Sequence, residues 1–167
     1  VRDNNIYLVK LLYDNAESQV TKDGRKNEVI NGVPDWVNEE EFGLNKVLCF
    51  NADGTMICWL RYDESKVKTY SLQLFKGEKP AKEEFVEYPG LYSYKYPKAG
   101  TDNSVVTAWS YDIKSHKANR LQVPSAADGY MPRIKPTADA GKIIVYTMNR
   151  HQSELNLYSV NPRSTVA

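Results

Sequence analysis

The feature that most constrains the fold of this chain is a succession of short strand-like segments separated by glycine-containing turns. The apolar runs 47–50 and 56–60 flank residues 51–54, which end in an Asp-Gly pair. An Asp-Gly pair between apolar runs predicts a β-hairpin, because both residues accept the positive φ of a tight turn. A second copy lies near the end of the chain, where two apolar runs flank a turn that ends at Gly141. The chain is therefore predicted to be all-β, without long helices.

Further segments extend this pattern into repeated units. Residues 5–9 and 156–160 resemble each other as strands, and residues 19–24 are predicted to form a strand that leads into another Asp-Gly turn. Recurring four-strand units of about 40–45 residues are typical of β-propeller blades. The two hairpins lie about two blade lengths apart with no third hairpin between them, which favours one blade with a long insertion.

The insertion is predicted from about Phe75 to Gly100, with segments 67–72 and 105–110 as the remaining strands of its blade. It contains Tyr88, Tyr92, Tyr94 and Tyr96, with Pro89 and Pro97, and the last three tyrosines alternate between the two prolines. Such alternation predicts an extended arm that covers apolar surface elsewhere. The alternative is that the tyrosines pack on their own blade.

These segments divide the chain into four parts. We expect residues 1–33 to end one blade, 34–43 to form a short acidic helix, 44–125 to form a blade with the inserted arm, and 126–167 to form the following blade. The fold prediction is thus a partial β-propeller of about three blades. Such an arc does not close, so its edge strands are open to pairing.

The predicted short helix contains three consecutive acidic residues, Glu39, Glu40 and Glu41. Asp35 can cap this helix, and Asn38 follows at the spacing of a weak capping box. Neighbouring side chains on a helix are only about 100° apart, so two of these carboxylates can share one cleft. A primary ammonium suits such a pair, since it brings three donors to groups that only accept. The alternatives are a solvated acidic turn and an oxygen-ligand cation site, although the spacing lacks an EF-hand pattern.

Composition excludes some classes of function. A net charge of +1 gives no reason to expect nucleic acid or an anionic membrane as a partner. No apolar run has the length of a membrane span, and we expect no signal peptide in this segment. Because the chain starts at Val1 and stops just after a strand, we expect it to be a piece of a longer protein. Cys49 and Cys58 flank a tight turn and are predicted to be core-facing thiols without a catalytic role.

Several strings together resemble the dipeptidyl peptidase IV family of serine exopeptidases. The most specific are residues 31–42, which include Asp-Trp-Val-Asn-Glu-Glu-Glu, and residues 96–100, Tyr-Pro-Lys-Ala-Gly. Residues 20–24, 63–65 and 149–152 fit the same pattern. The likeness runs in order along nearly the whole chain, which resembles a fragment of the family's N-terminal propeller of bacterial type.

The resemblance implies an enzyme with an eight-bladed propeller and an α/β-hydrolase domain, which removes an N-terminal dipeptide when proline or alanine is second. It implies that Glu40 and Glu41 bind the free α-amine of the peptide substrate. It also implies a homodimer that uses the arm and an extracytoplasmic location such as the periplasm or cell envelope. We expect no cofactor and no metal.

Most of the catalytic machinery of this family is absent from the sequence. No Gly-x-Ser-x-Gly nucleophile elbow occurs, and His116 and His151 have no plausible nucleophile beside them in sequence. We therefore expect no catalytic residue in the chain, both histidines to be structural, and the chain alone to be inactive. The alternative function is a non-catalytic propeller module that binds proteins.

Overall fold

The computed structural model describes residues 1–75, 88–125 and 127–167 of the chain. Within these residues the secondary structure is almost entirely β, which confirms the predicted fold class. The elements in chain order are β1 (Tyr7–Lys10), β2 (Ala16–Gln19), β3 (Val29–Asn31), α1 (Trp36–Phe42), β4 (Leu48–Phe50), β5 (Met56–Asp63), β6 (Thr69–Leu74), β7 (Gly90–Lys95), β8 (Val105–Asp112), β9 (Lys117–Arg120), β10 (Tyr130–Pro136), β11 (Ile143–Met148) and β12 (Leu155–Val160).

The strands of the described residues form four antiparallel sheets. The largest has the order β3-β5-β8-β9, with β4 also paired to β5, and we call it the middle sheet. The last sheet has the order β10-β11-β12, and two-stranded sheets form from β1 with β2 and from β6 with β7. Both predicted hairpins are confirmed, because β4 pairs with β5 around the Asp53-Gly54 turn and β10 pairs with β11.

The middle sheet is buried on both faces. Strand β5 alternates with the period of two that a strand imposes. Its residues Met56, Cys58, Leu60 and Tyr62 belong to a core shared with the last sheet. Ile57 and Trp59 belong to a second core, shared with Ile6 and Val20 of the first segment. Face-to-face stacking of successive sheets therefore supplies the core, as expected for neighbouring blades.

The acidic helix interrupts one edge of the middle sheet. Strand β3 pairs with the end of β5, whereas β4 pairs with its beginning. At the interruption Gly32 N–H donates to Leu60 O (3.1 Å) and Leu60 N–H donates to Val47 O (2.9 Å), so both halves of the edge stay bonded to β5. The chain leaves the sheet after β3, forms α1 and returns as β4. β3 thus belongs to the middle sheet, although residues 1–33 were predicted to end the preceding blade.

The arm begins earlier than predicted. Residues 67–72 were assigned to the blade, but β6 pairs along its whole length with β7, from Thr69 opposite Lys95 to Leu74 opposite Gly90. The strand next to β5 in the blade is β8 instead of β6, and it pairs with β5 over eight residues. The arm is therefore a two-stranded ribbon that starts at Thr69. Residues 76–87, which fall within the predicted arm, lie outside the described residues.

The predicted turn at Asp23-Gly24 is also wrong. Residues 21–24 form no regular turn, and Asp23 instead accepts hydrogen bonds from Arg61 Nε (2.7 Å) and Asn31 Nδ2 (3.0 Å). A Cβ at Gly24 would lie 2.2 Å from the backbone oxygen of Asn4. Glycine is required here by the close approach of two backbone segments, not by a turn conformation.

Candidate functional site

The N-terminus of α1 is fixed by Asp35. Its side chain accepts hydrogen bonds at Oδ1 from Asn38 N (3.0 Å) and Asn38 Nδ2 (2.7 Å). Asp35 is therefore the N-cap, since it accepts a hydrogen bond from the otherwise unpaired Asn38 N–H of the first turn. The predicted capping-box spacing is therefore used in a variant form, because the Asn38 side chain meets the Asp35 carboxylate rather than its backbone. Both residues are buried.

A second contact ties this cap to the segment that follows the arm. Ser104 Oγ donates to the other carboxylate oxygen of Asp35. The loop that leads to Ser104 is held in turn by Arg150, whose Nη2 donates to Thr101 O at 2.8 Å. The start of the acidic helix is thus linked through one loop to the turn between β11 and β12.

The C-terminus of α1 is fixed by a different strand. Gly43 adopts the left-handed conformation, with φ of 60°, and its N–H donates to Glu39 O. Arg133 of β10 donates from Nη2 to Phe42 O at 3.0 Å. A glycine cap and a cation at the last carbonyls are both favourable at a helix C-terminus. Phe42 also packs edge-on against Tyr130, with ring centroids 5.4 Å apart.

The first residue of the helix packs against the base of the arm. The ring centroid of Trp36 lies 4.4 Å from that of Tyr96 and 5.6 Å from that of Tyr94. Tyr70 of β6 lies 5.5 Å from Tyr96, and the Lys98 ammonium lies 5.6 Å from the Tyr70 ring centroid. The arm tyrosines nearest the blade therefore pack on the acidic helix, whereas Tyr88 and Tyr92 are exposed.

The predicted site residues Glu40 and Glu41 lie side by side on the exposed surface of α1. Glu41 lines a cleft of about 790 Å³. Partial burial and the neighbouring tyrosines raise the pKa of Tyr94, and the charge of Glu40 adds a smaller contribution. Glu40 therefore lies near the arm. Glu39, Glu40 and Glu41 are all exposed.

The cleft lies where several parts of the chain meet. Its walls include Val37 and Glu41 of α1, the loop from Pro97 to Asn103, the residues at 127–130, and the turn at 150–152. Cations and anions both line it: Lys66, Lys98 and Arg150, with Glu41, Asp102 and Asp128. The cleft is open to solvent, and its lining combines apolar surface with charges of both signs.

A buried acidic group lies beneath the helix, at the base of the arm. Glu64 is only 6% exposed and shares a cavity with Asp35, Trp36 and Lys95. Burial, and then the nearby Asp35 carboxylate, raises the pKa of Glu64 to about 7. Burial followed by Asp35 also raises the pKa of Tyr62 well above its ordinary value. The base of the helix is therefore a low-dielectric region in which further negative charge is disfavoured.

The two histidines have different surroundings. His116 is bonded to the Tyr111 hydroxyl through Nδ1 at 2.7 Å, which agrees with the predicted structural role. His151 is exposed and lines the cleft. Among the described residues, no group of three or more His, Cys, Asp or Glu side chains has the arrangement of a metal site. No helix in the described part of the chain is both long and apolar enough to cross a membrane.

Sequence reasoning missed the residues that hold the helix. Ser104 lies 69 positions from Asp35, and Arg133 lies 91 positions from Phe42. No local pattern marks either residue. Asp35 was the one member of this set with a sequence signal, as a helix cap preceding the acidic run.

Comparison with known proteins places this geometry in context. A family model described as "Dipeptidyl peptidase IV (DPP IV) N-terminal region" matches residues 1–167. A protein named probable dipeptidyl-aminopeptidase B of Talaromyces marneffei is 40% identical over 156 residues, which cover 89% of this chain and 17% of the relative. The protein of the same name in Pyrenophora tritici-repentis is 43% identical over 166 residues, covering 93% of this chain and 18% of the relative.

A solved structure agrees with these matches. The crystal structure of Porphyromonas gingivalis dipeptidyl peptidase 4 superposes with a TM-score of 0.89 at 41% identity. The match covers 99% of this chain and 22% of the solved one. The chain therefore spans about a fifth of the length of the proteins it matches, and its identities to the fungal and bacterial relatives are similar.

Proposed function

The chain belongs to the dipeptidyl peptidase IV family, as part of its N-terminal region, and we propose that it supplies the amine-binding part of a serine dipeptidyl peptidase. In this proposal Glu40 and Glu41 bind the protonated N-terminus of a peptide substrate. The chemistry is carried out by an α/β-hydrolase domain elsewhere in the polypeptide, which releases X-Pro or X-Ala dipeptides.

The observation that carries the proposal is the placement of the acidic pair. Glu41 lines a cleft at the exposed side of α1, and Glu40 is its neighbour on the same helix. A free α-amine has a pKa of about 8 and is mostly protonated at neutral pH. Two carboxylates can accept all of its hydrogen bonds and hold it in the charged form. An internal peptide bond offers no such cation, so a site of this kind selects chain ends.

The fixed position of the helix supports the same function. Binding energy contributes to catalysis only if the amine is held at a defined distance from the reacting carbonyl. The helix is bonded at its N-terminus to Ser104 and at its C-terminus to Arg133. These ties hold the backbone that carries the two glutamates in place without substrate, which reduces the entropy lost on binding.

The arm is proposed to extend from its blade to a second subunit. Its described part exposes large apolar side chains on both strands and next to them: Tyr70, Leu72, Leu74, Phe75, Tyr88, Leu91 and Tyr92. An exposed apolar ribbon of this kind is expected to be covered in an assembly. A homodimer through the arm is therefore part of the proposed function.

The proposal is tested in the full-length peptidase that carries this chain. Glu40→Gln and Glu41→Gln should each lower kcat/KM for Gly-Pro or Ala-Pro chromogenic substrates. Removing one partner of a charge pair that bound substrate shields from water costs about 2–5 kcal/mol, or roughly 30-fold to several thousand-fold. Glu39→Gln is the matched control, with the same chemical change one residue earlier, and it should matter less.

A blocked substrate separates amine binding from general damage. Acetylation of the substrate N-terminus removes the cation, so both variants should then resemble the wild type in residual activity. If Glu39→Gln proved the most damaging of the three, the pair would be wrongly assigned. If all three variants kept full activity, amine binding by this helix would be refuted.

A further inference from the structure

The two cysteines lie directly opposite each other on neighbouring strands. Cys49 of β4 is paired in register with Cys58 of β5, and both thiols are free. Directly opposite residues of an antiparallel pair project from the same face. The neighbourhood agrees, because Cys58 belongs to the core shared with the last sheet and Cys49 packs against that core.

The hydrogen bonds of the hairpin fix the spacing of this pair. Asn51 N–H donates to Met56 O (3.1 Å) and Leu60 N–H donates to Val47 O (2.9 Å). Because bonded and non-bonded pairs alternate, Cys49 and Cys58 form a hydrogen-bonded pair, with Cα atoms about 5.5 Å apart. Disulfides span Cα distances of about 4.4–6.8 Å, so the backbone spacing fits a bridge.

The side chains must move slightly to close the bond. Opposing Cβ atoms lie about 4.5–5.5 Å apart in such ladders, whereas bridged Cβ atoms lie about 3.5–4.5 Å apart. Strand β4 has only three residues and pairs with no strand on its other side within the described sheets. A short edge strand can make this shift, and the remaining strain would make the bond easy to reduce.

The two thiols differ in access. Cys49 is partly exposed, near the cations Lys46 and Lys135, whereas Cys58 is fully buried. Burial raises the pKa of Cys49 to about 11 and that of Cys58 to about 12. Because the thiolate is the nucleophile, Cys49 is the residue that reacts first, and the reaction of the folded chain is slow.

We propose that Cys49 and Cys58 are a modification site that forms a reversible cross-strand disulfide by exchange with a low-molecular-weight disulfide. Cys49 loses its proton and attacks one sulfur of oxidised glutathione, which forms a mixed disulfide and releases one glutathione thiolate. Cys58 then loses its proton and attacks the Cys49 sulfur, which releases the second. The protein loses two electrons and two protons, and the oxidant becomes two molecules of reduced glutathione.

The bond would tie one side of the interrupted edge, strand β4, to β5. Strand β4 is the segment by which the chain returns from α1, and β5 is the central strand that both β3 and β4 pair with. A bridge at Cys49 therefore holds the return strand of the acidic helix to the centre of the middle sheet. Reduction would release that covalent tie without breaking the ladder.

Mass spectrometry of the 167-residue chain tests the proposal. The folded chain is incubated with oxidised glutathione at about pH 8, where exchange is faster because more thiolate is present. It is then acidified, unfolded, alkylated and digested with trypsin, which places both cysteines in the peptide Val47–Arg61. We expect this peptide to carry no alkyl group and to weigh two hydrogens less than the reduced, unmodified peptide. Cleavage before Asp53 should then leave two fragments that separate only after reduction.

Two variants test the order of the steps. Cys58→Ser should stop at a glutathione adduct on Cys49, whereas Cys49→Ser should leave Cys58 alkylatable only after unfolding. The wild-type result decides the proposal even if a variant fails to fold. Recovery of Val47–Arg61 with both cysteines alkylated after prolonged oxidation would overturn it. A wild-type chain that stops at the mixed disulfide, or that forms only intermolecular bridges, would overturn it as well.

Discussion

Replacement of Glu64 by glutamine should stabilise the chain at alkaline pH and leave its stability at acidic pH almost unchanged. Glu64 is 6% exposed, and its carboxyl faces Asp35, Asp63 and Lys95, with the Asn27 backbone near enough to favour the charged form. Lys26 lines the same cavity. The pKa of Glu64 rises from 4.5 to about 7, because burial and then Asp35 disfavour the carboxylate.

The sign of the effect follows from proton linkage. Between pH 4.5 and about 7 the folded chain holds the Glu64 proton, whereas the unfolded chain releases it. Stability therefore falls as pH rises through this window and stays lower above it. At about 1.36 kcal/mol per pKa unit the full shift would correspond to about 3 kcal/mol. Because the carboxyl borders a cavity that water reaches, we expect about 1–2 kcal/mol.

Urea unfolding followed by tryptophan fluorescence provides the assay, at about pH 4 and about pH 8.5 on either side of the linked window. Glu64→Gln should gain stability over the wild type only at the higher pH. Glu39→Gln is the matched control, since Glu39 is exposed on α1. The carboxyl ¹³C shift of Glu64 reports the same titration directly. A variant that gains nothing at high pH, or gains equally at both, would refute the argument.

Three further predictions concern the helix, a strained glycine and the arm. Asp35→Ala should lower the free energy of unfolding by about 1–3 kcal/mol, because it removes a helix cap and leaves buried donors unpaired; urea titration measures this, and a loss under about 0.5 kcal/mol would contradict the cap assignment. Gly32→Ala should destabilise more than Gly54→Ala in the same titration, since both have positive φ but only a Cβ at Gly32 meets a neighbour, 2.8 Å from a Leu48 methyl carbon. Leu91→Ser on the exposed arm should weaken self-association in sedimentation equilibrium without changing the fluorescence of the folded chain, and an unchanged mass distribution would count against the arm as the contact.

Local sequence signals predicted the hairpins and the helix but not their long-range partners. The Asp53-Gly54 turn lies between its own strands, so residues within ten positions determine it. The alternating sequence of β6 is compatible with pairing to β5 and with pairing to β7. The structure pairs it with β7, with Thr69 opposite Lys95, and no local sequence pattern specifies this pairing. The strand was therefore assigned to the wrong sheet although its conformation was predicted correctly.

The candidate site shows the same division between local and distant information. The acidic run and the Asp35 cap lie within seven consecutive positions, 35–41, and both could be predicted from the local sequence. The orientation of the helix depends on Ser104 and Arg133, which come from two other parts of the chain. Their roles could not be predicted, because serine and arginine are common residues whose partners depend on the tertiary fold.

The shortness of α1 explains why these distant ties matter for function. A helix of seven residues is far below the length at which an isolated helix is stable, so its own hydrogen bonds do not fix its position. Its position is set instead by the arm at Trp36, by Ser104 and by Arg133. Each tie comes from a different element, so displacement of any one would move the carboxylates of Glu40 and Glu41. The geometry of the proposed amine site is therefore a property of the packed sheets and arm together, and a seven-residue acidic peptide alone should not reproduce it.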